Sequence, residues 1–186
     1  EFYQPVDDSL SYFVAVNAGY RVRDFNEYNE DGDVTTQHRA LSIHAGLDVG
    51  RQFGNWGELR LGINREYGAV RVLVGDHTGP AEYYNRASIF ASAAYSTLDN
   101  YVFPLSGTDA YLTWNYNLKM LGSDIEVQAL AFKWMTALTW RKFTFLPSVE
   151  IRTTLDNDDM EVQDTFPLGG FLNLSGFGAN ELFGRH

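Results

Sequence analysis

Between Leu41 and Val49 the chain alternates without a break. Leu41, Ile43, Ala45, Leu47 and Val49 fall on one side of an extended backbone, and Ser42, His44, Gly46, Asp48 and Gly50 on the other. Successive side chains of a strand point to opposite faces, so this period of two predicts a β-strand with one apolar and one polar face. Comparable stretches recur about every 20–25 residues. They predict seven strands, at 12–22, 39–50, 56–74, 86–98, 109–121, 125–140 and 144–155. The remainder, 156–186, is predicted to be a Gly-rich, apolar segment with no strand of its own.

Strands of about 10 residues or more can cross the hydrocarbon layer on a tilted path. Connections alternate between long polar ones and short turns, as in outer-membrane barrels. A tight hairpin at Gly122-Ser123-Asp124 breaks that alternation, because it falls on the long side. The polar faces carry Arg21, His44, Asp48, Glu58, Arg60, Glu150 and Arg152. Charges of both signs suit a filled or hydrated lumen, where each buried charge requires a partner. Tyr12, Tyr20, Tyr95, Trp114 and Trp140 sit near strand ends on the apolar faces, where interfacial aromatic girdles lie. The same alternation would also serve a soluble all-β calyx that binds an apolar ligand.

Composition agrees with a β-protein, with 15% aromatic residues and 17 glycines. No cysteine is present, which excludes disulfides, thiolate metal sites and Cys nucleophiles. A net charge of −10 argues against a nucleic-acid partner. No run of about 18 apolar residues offers a transmembrane helix, so any crossing is made by strands. There is no Gly-x-Ser-x-Gly elbow, and His38, His44, His77 and His186 are not at metal-binding spacing. Neither catalysis, a metal site nor a cofactor is therefore predicted. Glu27, Asn29, Asp31 and Gly32 begin like an EF-hand loop, but His38 holds the place of the bidentate Glu. Solvated charge is the better reading of that loop and of Asp156–Asp159.

Two Phe-Pro-Leu marks punctuate this pattern. The first, Asp99-Asn100 followed by Phe103-Pro104-Leu105-Ser106-Gly107, stands between two strands. The second, Phe166-Pro167-Leu168-Gly169-Gly170, runs on to Ser175-Gly176-Phe177. The first resembles the periplasmic turn of the bacterial surface-antigen superfamily, which includes the outer-membrane assembly factor and the two-partner secretion translocators. The second is similar to the loop that folds back into the lumen of those barrels, with a Gly-Gly pair and an Arg-Gly-Phe/Tyr tip. Here Ser175 stands where the family usually has Arg. That departure puts the usual latch to an acidic strand residue in doubt and resembles the branch fused to patatin-like phospholipases.

The resemblance covers about residues 10–186 and implies an antiparallel up-and-down transmembrane β-barrel in the bacterial outer membrane. This chain would supply about seven strands of a larger barrel, as a single segment. It implies a non-enzymatic translocator or anchor for a secreted or surface-displayed passenger, with Gly169, Gly170, Ser175, Gly176 and Phe177 packing in the lumen. Outer-membrane lipid and a passenger polypeptide are the expected partners. Further strands or self-association would close the barrel, and the opening Glu1-Phe2-Tyr3 reads as the middle of a longer protein.

Overall fold

A strand that is apolar on one side only must lay that side against something greasy, and neighbouring strands of the same pattern do so together. The computed structural model describes residues 1–28, 34–74, 80–155, 166–168 and 182–184. Apart from one 3-10 turn its regular structure is all β. Nine strands form one antiparallel sheet: β1 (Phe2–Pro5), β2 (Tyr12–Tyr28), β3 (Val34–Phe53), β4 (Gly57–Val74), β5 (Glu82–Ser96), β6 (Ser106–Asn117), β7 (Val127–Trp140), β8 (Phe143–Phe145) and β9 (Ser148–Thr154). Each pairs with the one before it, except that β8 and β9 both pair with β7. The sheet is thus up-and-down and open, with β1 at one edge and β8 and β9 at the other.

The faces are reversed relative to a water-soluble fold. On β3, Ile43 is 60% exposed while neighbouring Ser42 is 4% exposed. Leu41, Leu47, Leu59, Leu61, Ile63, Val149 and Ile151 are exposed, whereas Asp48, Arg86 and Ser88 are buried. The apolar residues share one face because the register pairs them with one another, for example Val16 with Leu47, Leu47 with Ile63, and Ile63 with Ile89. A broad apolar outer face of this kind is what lipid requires of a barrel wall.

Several elements differ from the sequence expectation. The chain from Asp24 to Tyr28 is strand rather than loop, and β3 opens at Val34, so this hairpin is taller than 12–22 and 39–50. Its upper part carries polar residues on both faces, which erases the alternation, while the ladder continues from Arg23↔Ala40 to Tyr28↔Val34 with one register shift between Glu27 and Tyr28. β5 likewise begins at Glu82 rather than 86. β1 was not foreseen, because four residues are too few to show a period.

The tight Gly122 hairpin is absent. β6 ends at Asn117, and a nine-residue connection holds a 3-10 turn at Lys119–Leu121, closed by Gly122 at φ 90°. The reason lies in β5, which starts six residues before its first pairing with β6 at Ser88. The connection supplies the missing partners: Leu118 N–H donates to the Ala87 carbonyl (2.9 Å) and Asp124 N–H to that of Asn85 (3.0 Å). With nine residues each, the β5–β6 and β6–β7 connections are equal in length, so the expected alternation of long and short does not hold here.

β8 and β9 are one strand broken at Leu146-Pro147, since the register with β7 passes through unchanged from Leu138↔Phe145 to Met135↔Ser148. Proline has no N–H to give a ladder and is tolerated at an edge. Its carbonyl still accepts from Thr136 N–H (3.1 Å). The segment Phe166–Leu168 (β10) pairs antiparallel with Leu182–Gly184 (β11), which corrects the expectation that 156–186 has no strand.

Large side chains on the polar face lie flat over glycines of the adjacent strand. A Cβ at Gly50 would come 2.3 Å from the Phe13 ring, one at Gly68 2.3 Å from Tyr84, and one at Gly62 2.6 Å from Phe90 and 2.5 Å from the Leu47 carbonyl oxygen. Glycine is needed there because nothing larger fits beneath the ring. Gly62→Ala is therefore expected to cost about 1–3 kcal/mol, the usual range for overpacking. Gly57→Ala, whose Cβ would meet nothing closer than 3.5 Å, should be near neutral. Urea unfolding of the two variants in detergent checks the contrast.

Candidate functional site

The polar face is concave and lines a half-open cavity of about 770 Å³ bounded by Glu1 and by β2 to β6. Its centre is Arg60. The guanidinium donates from Nη1 to Glu1 Oε1 (2.6 Å) and from Nε to Glu58 Oε1 (2.5 Å). Its Nη1 also lies 3.5 Å from Asp48 Oδ1. The same group sits 5.0 Å over the Phe13 ring, the one large side chain buried completely among the described residues. Strand pairing builds this cluster: Gly50 stands opposite both Phe13 and Arg60, and its missing side chain opens the space they share. Asp48 is 2% exposed, so Arg60 is the cation that makes its burial tolerable.

One step up the barrel wall, His44, Glu66 and Arg86 stand in register across β3, β4 and β5. Tyr84 O–H donates to Glu66 Oε1 (3.2 Å), and Arg86 lies 5.2 Å over the Tyr84 ring. His44 fills the space above Gly19, which faces it on β2, and its Nδ1 is buried without a hydrogen-bond partner. Across the sheet, Glu150 faces Lys133 and forms an ion pair with Arg152 two residues along the same strand. The sequence-predicted charges Arg21, His44, Asp48, Glu58 and Arg60 all line the cavity. Glu150 and Arg152 do not reach it.

Sequence reasoning missed several lining residues, among them Glu66, Arg86 and Phe90. The signal was present, because each shares the parity of Asp48 or Arg60 once the strands are in register. A calyx for an apolar ligand would carry its apolar side chains on the concave face. Here they are on the convex one.

The first Phe-Pro mark is a turn held by two side chains. Asp99 Oδ1 accepts from the N–H groups of Leu105 (3.0 Å) and Ser106 (3.2 Å), and Asn100 Oδ1 from those of Val102 (2.8 Å) and Phe103 (3.1 Å). The donors at Leu105 and then Ser106 hold the Asp99 carboxyl below its ordinary pKa. Pro104 is buried, while Tyr101, Val102 and Phe103 are exposed. Gly107 has φ 104° and its Cα lies against the Thr97 carbonyl, where a Cβ would stand 2.2 Å from the oxygen. Of the second mark, Gly169, Gly170, Ser175, Gly176 and Phe177 lie outside the described residues. Among the described residues no cluster of His, Asp and Glu could hold a metal.

A model of the Omp85 superfamily domain matches residues 1–185. No curated protein matches the chain.

Two outcomes follow from the geometry. Arg60→Leu strands the buried Asp48 carboxylate and should cost about 3 kcal/mol or more, whereas adding Asp48→Asn recovers most of it. Unfolding midpoints of the single and double variants in detergent give the coupling. For the turn, a lowered carboxyl pKa stabilises the fold above the unfolded value near pH ~4. That contribution fades as pH falls through the lower folded value. The stability gap between wild type and Asp99→Asn should therefore be constant above about pH 5 and shrink below ~4.

Proposed function

The chain belongs to the Omp85 superfamily, and on that premise we propose that it forms part of the wall of a barrel that translocates or anchors a secreted or surface-displayed polypeptide. Proteins of this superfamily are outer-membrane β-barrels that act in polypeptide translocation and membrane assembly, and are generally non-enzymatic. The observation that carries the proposal is the reversed sheet. An apolar convex face meets lipid, and a concave face bearing Arg60, Asp48, His44 and Arg86 surrounds a hydrated cavity. A polypeptide in passage needs such a wall, because its own backbone N–H and C=O groups must find polar partners or water at every step.

The sheet is open, so closure takes strands beyond these nine or a second copy. The segment 156–186 is the candidate for the lumen loop, and within it Phe166–Leu168 and Leu182–Gly184 are drawn together by the β10–β11 pairing. Within it Gly169, Gly170, Ser175, Gly176 and Phe177 would brace or gate the lumen. Ser175 in place of the usual Arg supports placement in the branch fused to patatin-like phospholipases, whose passenger is the phospholipase domain itself. The turn at Asp99, Asn100, Phe103, Pro104 and Gly107 would face the periplasm.

Gly176→Arg tests the loop assignment in the full-length protein. Passenger display, read by protease shaving of intact cells, should fall to a small fraction of wild type. Full display by that variant would refute the role of the loop. Heat-modifiable gel mobility of the same samples reports separately whether the barrel has folded.

A further inference from the structure

Arg65 is a cation on the wrong face. It stands on the convex side of β4 between Ile63 and Tyr67, with Ala45 opposite on β3 and Ala87 opposite on β5. Its guanidinium donates to the Leu121 carbonyl (2.6 Å) and to Asn85 Oδ1 (3.3 Å), both neutral acceptors. No carboxylate pairs with it among the described residues. Eight residues of strand separate it from Gly57, which on a tilted path places it roughly 20 Å above the short-turn rim. One row higher, the rings of Tyr67 and Tyr83 stack at 6.0 Å and Tyr20 lies exposed in the same row. Exposed tyrosines mark the headgroup level, so Arg65 lies just beneath it.

Below the guanidinium runs a groove of about 400 Å³ on the same convex face. Ala45 and Ala87 form its floor, Leu47 and Ile63 continue it toward the bilayer centre, and Leu121 overhangs it from the β6–β7 connection. The side chains that shape it are apolar, so water there would find few partners. An unneutralised guanidinium in this position is costly, and a phosphate is its matched counter-ion, since the planar fork binds phosphate oxygens in pairs. We infer that Arg65 and this groove form a site for a phosphate-bearing anionic membrane lipid, headgroup on the guanidinium and one acyl chain along Ala45, Ala87 and Leu121. The site stands on the convex face and is independent of whatever passes through the lumen.

Native mass spectrometry of the full-length protein released from detergent tests this, with phosphatidylglycerol and phosphatidylcholine of identical chains as probes. The wild type should retain one phosphatidylglycerol in preference to phosphatidylcholine by about fivefold, the effect of one basic residue near a membrane surface. Arg65→Gln should bind the two lipids equally, and Arg65→Lys should keep a preference. Ala87→Leu, which fills the groove with Arg65 in place, should reduce adducts of both. Equal retention by the wild type, an unchanged preference in Arg65→Gln, or undiminished adducts in Ala87→Leu would each overturn the assignment. Heat-modifiable mobility confirms that each variant is folded before it is measured.

Discussion

Lipid offers a peptide group nothing to bond with, and this single deprivation organises the molecule. Each N–H and C=O in the hydrocarbon must find its partner in a neighbouring strand, at a cost of several kcal/mol for each failure. The ladders between β2, β3, β4 and β5 accordingly run through the membrane region without a register shift; the irregularities between Glu27 and Tyr28 and between Gln37 and His38 lie at the outer end. Where β6 falls short of β5, the β6–β7 connection lies down along β5 and donates two backbone hydrogen bonds in place of the missing strand. Where Pro147 cannot donate, it sits on the outermost strand.

Once the backbone is committed to strands, the side chains divide by parity and the two faces acquire opposite tasks. The convex face needs only to be apolar, and exposed Leu, Ile and Val satisfy it. The concave face is harder to build, because charges held away from bulk water need specific partners. It is solved by register: glycines opposite large side chains let Phe13, Tyr84 and Phe90 lie down, and Arg60 draws Glu1, Glu58 and Asp48 around one guanidinium.

The all-β, up-and-down character was legible because the alternation at Leu41–Val49 and its echoes depends on local chemistry alone. So was the division of faces, since His44, Asp48, Glu58 and Arg60 share one parity within their strands. What lay beyond reach needed a partner strand to be seen. The upper half of the β2–β3 hairpin is polar on both sides, and only its ladder makes it strand. Gly122 looked like a hairpin because its neighbours were read without β5, whose unpaired end draws the connection into a longer path. Glu66, Arg86 and Phe90 carried no motif, and their place on the cavity follows from register across neighbouring strands.

The unequal heights of the strands have a consequence for the shape of the opening. β2 and β3 span 17 and 20 residues, whereas β6 spans 12. The register levels Asn117, the end of β6, with Asn17 and Gly46, so at about 3.3 Å per residue the tall hairpin runs on past β6 by roughly 35–40 Å along the strand direction. The rim opposite the short Phe53–Gly57 turn is therefore slanted like a cut reed. On its high side, the bidentate contact of Arg39 with Asp24 fastens the two tall strands together above the bilayer. On the proposed translocating role, a chain emerging from such a mouth would clear the β6 side first and continue to lean on the β2–β3 side, so the wall itself would set the direction of exit.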